Sequence, residues 1–359
     1  MSRALGIPDS ASTVTLTAFD VVDDPSSIII PAATFITPIL PGHENMPAPI
    51  FAFLIENAAT KQRVMFDLGP RKDPENAVPA IAAAAKAKHM FFPVSRDITE
   101  QLVDAGVPLD SINAVIWSEP PPKLTCIQVN DTVAVHFDHT GDMSKFPTST
   151  DLAFGEDTAT ETYPTNPKST LLDSDFAGRK LVPVDFTKSQ LEIGGLRAHD
   201  YFGDGSFYLL DVPGHISGHV AGLARVTPNG FILLGGDSSF PCPGDLLAAT
   251  RTSVSATHFC TSESTGPFDL AARTMPLLDI SGHAGFEDPP AARASIKKLA
   301  AFDASADVFV VLAHDMSLVP VVGPFPALLS EWQVKGWKER VTWAFVDERN
   351  PAFRFSMIA

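Results

Sequence analysis

Three imidazole and carboxylate side chains stand close together in "HFDHTGD": His136, Asp138 and His139, at the end of an apolar run. Imidazole nitrogen and carboxylate oxygen together suit zinc, and also iron or manganese. Three further places set the same residue types just after an apolar run. They are His215 in "DVPGHISGH", Asp237 in "ILLGGD" and His314 in "VFVVLAHD". Taken singly, a histidine after a strand is usually a core or surface residue, and an aspartate after two glycines can simply end a strand or cap a turn. The four together, in order along the chain, point to a metal site. Strand ends are rigid, so ligands placed there converge without a large ordering cost.

The elements that would carry these residues are legible as punctuated apolar runs. Strands are expected at 13–22, 49–57 and 63–69, rich in β-branched and aromatic residues and bounded by Pro, Gly and Asn. An alanine-rich helix follows at 75–88, and another at 97–106, with Asp97 placed as N-cap and Gly106 just past its end. "INAVIWS" (112–118) reads as a short buried strand. Further on, "LEIGGLRAHDYF" and "SFYLLDVPG" read as strands, and "HVAGLARVT" and "GFILLGGD" as a strand pair turning at "PNG". A helix at 289–304, a buried strand at 307–315 and a helix at 324–340 complete the pattern. Strands followed by helices, twice over, suggest two sheets packed together with helices outside. Segments 119–134 and 145–180 are the expected long loops.

Composition sets the class and excludes some functions. With 359 residues, 45% of them hydrophobic and 19% charged, the chain can bury a large core. A net charge of -16 argues against nucleic acid, whose binders present Lys and Arg to phosphates. No stretch has signal-peptide or membrane-span character. Cys126, Cys242 and Cys260 are widely spaced and odd in number, which favours a reducing compartment over a disulfide framework. The expectation is a cytoplasmic protein, without membrane or nucleic-acid partners; its oligomeric state is open.

With these motifs in hand, the chain resembles the metallo-β-lactamase superfamily from about residue 49 to about 315. "MFDLG" is similar to the family's early strand ending in Asp-x-Gly, here Asp67 and Gly69. "HFDHTGD" matches most of the zinc motif, "PGHISGH" the third metal motif, "GGD" the bridging aspartate and "LAHD" the last histidine. The resemblance implies one domain over 1–359 with an α+β, αββα sandwich fold: two mixed β-sheets packed face to face, helices outside. Residues 316–359 would form a C-terminal helix and tail. It also implies a site for one or two zinc ions, other divalent metals being possible. Asp138, His139 and His314 would hold one metal, Asp237 would bridge, and His136 and His215 would share the other. Asp138 would also be catalytic, passing a proton to the leaving group. Asp67 would order its loop, while His219 and Asp315 would support the site rather than bind metal.

One departure interrupts the motif. Relatives run from the strand directly into a first histidine, giving His-x-His-x-Asp-His. Here "AVIWS" runs into Glu119, then "PPPKLTCIQVNDTVA", and only then "VHFDH". Three readings follow. Glu119 replaces the histidine; or the position formed by His136, His215 and Asp237 is weakened while the other survives; or 119–134 is a sequence error such as an unremoved intron. The second and third rank above the first, because losing one of three ligands costs much affinity.

Within the superfamily the layout most resembles the lactonase-like branch, although the tyrosine that quorum-quenching lactonases carry three residues after the bridging aspartate is Phe240 here. The expected function is metal-dependent hydrolysis of a small ester, lactone or thioester, in a pocket lined by apolar loops at 88–94 and 238–248. The competing class is a non-catalytic or one-metal member acting as a ligand-binding scaffold. Mononuclear iron redox chemistry stands third.

Overall fold

The computed structural model describes residues 2–28, 30–37, 39, 44–87, 92–120, 136–238, 279–281 and 285–342. Ala134 and most of the 119–134 segment, Phe240, all three cysteines and the tail past 342, on which expectations were placed, therefore lie outside the described residues.

Two mixed sheets carry the fold. In the first, Thr15–Asp20 pairs antiparallel with both Ala327–Leu328 and Phe51–Asn57, and Phe51–Asn57 with Gln62–Phe66. From there Gln62–Phe66, Ala114–Ile116, Asp151–Gly155 and Leu181–Val184 run parallel. The second sheet runs from Glu192–Ile193 through Leu196–Asp200, Phe207–Asp211, Val220–Thr227 and Gly230–Leu234 as antiparallel neighbours. It ends with Val308–Val311, parallel to Gly230–Leu234.

The sheets face each other through one apolar layer. Leu16, Phe53, Phe66 and Ile116 from the first meet Phe207, Leu209, Ile232 and Phe309 from the second. The alternate residues of the same strands face outward and are covered by helices. Ile98 and Leu102 of the helix Ile98–Asp104 pack on Met65, Val115 and Trp117. On the opposite side, Leu299 and Phe302 of the helix Pro289–Asp303 pack on Tyr208, Leu210 and Leu233. Strands buried on both faces read as continuous apolar runs, which is why "GFILL" and "VFVV" show no polar alternation. The layers are helix, sheet, sheet, helix, the αββα sandwich expected.

Three local expectations change. The 75–88 helix is a 3₁₀ turn at Pro74–Asn76 followed by a helix over Pro79–Lys86, with Pro79 at its first turn. The 145–180 segment is not only loop, for it contains the strand Asp151–Gly155 and the short helix Asp173–Phe176. The C-terminal helix at 324–340 is a broken series instead. Pro326 lacks a backbone donor and biases its predecessor away from helix, and Ala327–Leu328 joins the sheet edge. Helical turns begin only at Leu329–Glu331, continue as Trp332–Lys335, and break again at Gly336, whose φ is 60°. No helix among the described residues is long and apolar enough to cross a membrane.

Candidate metal centre

The carboxyl ends of parallel strands from both sheets open onto one edge of the sandwich, where α/β folds gather ligand groups. The strand Ala114–Ile116 continues through Trp117, whose N–H donates to Ala153 O, and delivers Ser118 and Glu119 to that edge. Glu119 is fully buried. Asp67, which follows Phe66 on the neighbouring strand, has a left-handed φ of 61°. This turn aims its carboxylate sideways: Oδ1 accepts from Ser118 N at 2.7 Å, and Oδ2 lies 2.9 Å from His139 Nδ1.

His136, Asp138 and His139 ride on the short helix Phe137–Thr140, with His136 at its N-cap position. Two bonds from the strand side fix that helix: Leu68 N donates to His139 O, and Trp117 Nε1 to Thr140 O. His215 lies in the turn after Phe207–Asp211. Gly214 precedes it at a φ of 130°, and a Cβ there would sit 2.1 Å from Ala292 N. Only glycine lets this turn lie so close to the helix Pro289–Asp303. Asp237 follows Gly235 and Gly236 after Gly230–Leu234, while His314 follows Val308–Val311 and sets Nδ1 2.9 Å from Pro49 O.

All six expected ligands converge. His314 Nε2 lies 3.4 Å from Asp138 Oδ2 and 3.1 Å from Asp237 Oδ1, and His139 Nε2 lies 4.0 Å from Asp138 Oδ2. On the other side, His136 and His215 stand with ring centroids 5.1 Å apart. Asp237 spans the two halves, with Oδ1 3.7 Å from His139 Nε2 and Oδ2 3.9 Å from His215 Nε2. A seventh group sits among them. Glu119 Oε2 is 3.1 Å from His136 Nδ1 and 3.3 Å from His215 Nε2, while Oε1 accepts from Asp237 N at 2.9 Å. The sequence reading ranks this placement below a weakened site. Glu119 was visible there only by its position at the end of the apolar run.

The remaining expectations divide. His219 Nε2 lies 3.3 Å from Glu119 Oε1, behind the cluster, with Nδ1 against Val212 O. Asp315 instead closes a local turn by accepting from Ser317 N. Of the expected apolar lining, residues 92–94 and Ser238 are described, and Phe92 rests edge-on against Phe137.

Charge is distributed unevenly across the cluster. Burial would push the Glu119 carboxyl up, but the imidazoles of His139 and His215 and the hydrogen bond with His136 hold it well below the usual carboxylate range. Burial also opposes the charged imidazoles, yet Glu119, Asp67 and Asp138 hold His139 well above its ordinary value. Asp237 and Asp138 likewise raise His314 to about 9, against burial. Asp138 departs upward, through burial and through its neighbours Asp237 and Glu119.

This donor set fits metal. Asp138 Oδ1, His139 Nε2, both ring nitrogens of His215 and Asp237 Oδ2 are buried without a hydrogen-bond partner. Each such group costs about 1–3 kcal/mol unless something satisfies it. Zinc arms of about 2.0–2.2 Å to nitrogen and oxygen place tetrahedral neighbours about 3.4 Å apart. The closest contacts between donor atoms here, 3.1 to 3.4 Å, match that spacing.

No protein-family model matches the chain. Among curated proteins, it is similar to a gamma-lactamase, FDB1, of Fusarium pseudograminearum: 35% identical, covering 96% of this chain and 84% of that protein. It is also similar to a metallo-hydrolase, mfmC, of Annulohypoxylon moriforme: 34% identical, covering 97% of this chain and 91% of that protein. Among solved structures, a quorum-quenching N-acyl homoserine lactone lactonase superposes with a TM-score of 0.54 at 17% identity, over 89% of this chain and all of that one. That last likeness concerns the fold alone.

Proposed function

The chain belongs to the metallo-β-lactamase superfamily and is a hydrolase of that type, and from this premise we propose that it opens small cyclic esters or amides at a two-metal centre. The lactam half of this reading rests on the gamma-lactamase relative. The ester and lactone half rests on the motif pattern, and open-chain esters and thioesters belong to the same chemistry. One observation carries the proposal: buried, unpartnered imidazole and carboxylate atoms converge from the carboxyl ends of strands in both sheets.

Asp138, His139 and His314 would hold one ion, His136 and His215 would contribute to the other, and Asp237 would stand between. Zinc suits this set, with other divalent ions as alternatives. When bound, two such cations supply Lewis acidity, lowering the pKa of a water and polarising an acyl oxygen. The protein's part is to orient. Pro49 O fixes the His314 ring, and Asp67 fixes the His139 ring, so each presents Nε2 inward. Asp138 keeps Oδ1 without a partner, so that oxygen is free to accept a proton and pass it to the leaving group.

The test is acid release in a pH-stat from a γ-lactone, a γ-lactam, an open-chain ester and a thioester. The protein is used chelator-stripped, and again after Zn2+ is restored. Hydrolysis of a cyclic substrate that vanishes on stripping, returns with Zn2+ and falls at least ~100-fold in His314→Ala supports the proposal. Equal rates in stripped, restored and variant protein overturn it. No hydrolysis in any form favours the ligand-binding scaffold.

A further inference from the structure

The bend after the strand Ala114–Ile116 presents a buried carboxylate, Glu119, between the imidazoles of His136 and His215. We propose that Glu119 is the third protein ligand of the first metal position, beside His136 and His215. This rests on the two-metal reading above and completes it. Glu119, His136 and His215 each offer one donor atom, all within 4.8 Å of one another.

Three features separate a ligand from a buried counter-ion. Glu119 is fully buried in the bend that follows the strand Ala114–Ile116, directly after Ser118, whose N donates to Asp67 Oδ1 and whose O accepts from Val220 N. Its two oxygens have different surroundings. Oε1 accepts from Asp237 N, which orients the carboxylate, and this leaves Oε2 facing His136 Nδ1 at 3.1 Å and His215 Nε2 at 3.3 Å. Those distances match the edges of a tetrahedral zinc site, about 3.4 Å. Finally, neither ring nitrogen of His215, a residue 2% exposed, makes an aligned hydrogen bond, although Nε2 lies 3.3 Å from Glu119 Oε2. A histidine that served only to pair with Glu119 would be expected to close a hydrogen bond with it.

The exchange has a chemical consequence. A carboxylate in place of an imidazole lowers the net positive charge of the loaded centre and hardens the donor set. Oxygen donors favour manganese relative to the softer imidazole sites that suit zinc. The first position should therefore accept Mn2+ more readily than an all-histidine position would.

The experiment uses the full chain and counts zinc per molecule after equilibration with zinc buffers, with affinities from chelator competition. The wild type should hold two ions. Glu119→Gln should keep one and weaken the other at least ~100-fold, since even changes behind the ligands cost about 10–100-fold. Glu119→His should hold two, with its Zn2+ over Mn2+ preference raised roughly tenfold. His314→Ala should keep the first position. Two ions in the wild type and two undiminished in Glu119→Gln overturn the Glu119 assignment but leave the two-metal reading standing. A single ion in the wild type, unchanged in Glu119→Gln, also overturns the assignment. No ion in any form overturns both. Should Glu119→Gln fail to fold, the Glu119→His comparison decides, and an unchanged Zn2+/Mn2+ preference then overturns the assignment.

Discussion

At the scale of single residues, the site is built by pairs in which one group points and the other is pointed. Asp67 is the clearest case. Its carboxylate takes the Ser118 N–H on one oxygen and faces His139 Nδ1 with the other, so one side chain sets both the strand end and an imidazole. Asn tolerates the left-handed backbone that Asp67 adopts, so Asp67→Asn removes the charge with little strain. Zinc affinity measured by chelator competition should fall about 10–100-fold in this variant. Unchanged affinity would mean that Asp67 does not position His139. The six expected ligands were legible because each follows an apolar run. Glu119 was legible only as one of three readings of the interrupted motif, and not as a preferred one. Two residues separated by a long insert give no sign in sequence of whether their ends meet. Physically, closing such an excursion costs little more than closing a short one, because loop entropy grows only logarithmically with length. Here the described flanks, Glu119 and His136, do meet.

At the scale of elements, turns decide where the ligands stand. A Cβ on Gly214 would penetrate the first turn of Pro289–Asp303, so Gly214→Ala must displace the His215 turn or the helix. Zinc occupancy of the first position should drop while the second stays filled, as read by zinc per chain. Two tightly held ions would contradict this. Asp175, in the helix Asp173–Phe176, tests the electrostatics of burial. Burial pushes its carboxyl up to about 6, against a hydrogen bond from Leu172 N and the nearby Arg71. A raised folded pKa means that the folded state holds the proton while the unfolded state releases it, so stability falls as pH rises from about 4 to about 6. Asp175→Asn should thus be more stable than wild type by about 3 kcal/mol at pH 7.5, and equal to it below pH 4. Urea melts at both values check it; a constant difference across pH would count against the account. Elements were legible where their caps are local. Asp97 closes a capping box with Glu100, as the N-cap reading of 97–106 expected. The 324–340 segment misled because helical spacing of apolar residues outweighed Pro326 and Gly336. The strand Asp151–Gly155 was hidden within a Pro-, Thr- and Ser-rich stretch, since five residues carry little pattern of their own.

At the scale of the molecule, the site is where the two sheets are tied at one edge. Val220 N donates to Ser118 O across the sandwich, and Ala313 N to Gly236 O beside it. Ions held there would join strands that are far apart in sequence, and unsatisfied buried polar atoms would make the stripped state costly. Removing metal should therefore lower the melting temperature, and saturation at 100 times Kd should add about 2.7 kcal/mol of stability. Calorimetry of stripped and restored protein reads this directly; identical melts would place metal binding elsewhere or nowhere. The most direct test of the central claim is a crystal of the zinc-loaded protein measured at the zinc absorption edge. Two anomalous peaks are expected, one among Glu119, His136 and His215 and one among Asp138, His139 and His314, with Asp237 between them. The absence of any peak at this edge of the sandwich, or peaks only at other residues, would contradict the account.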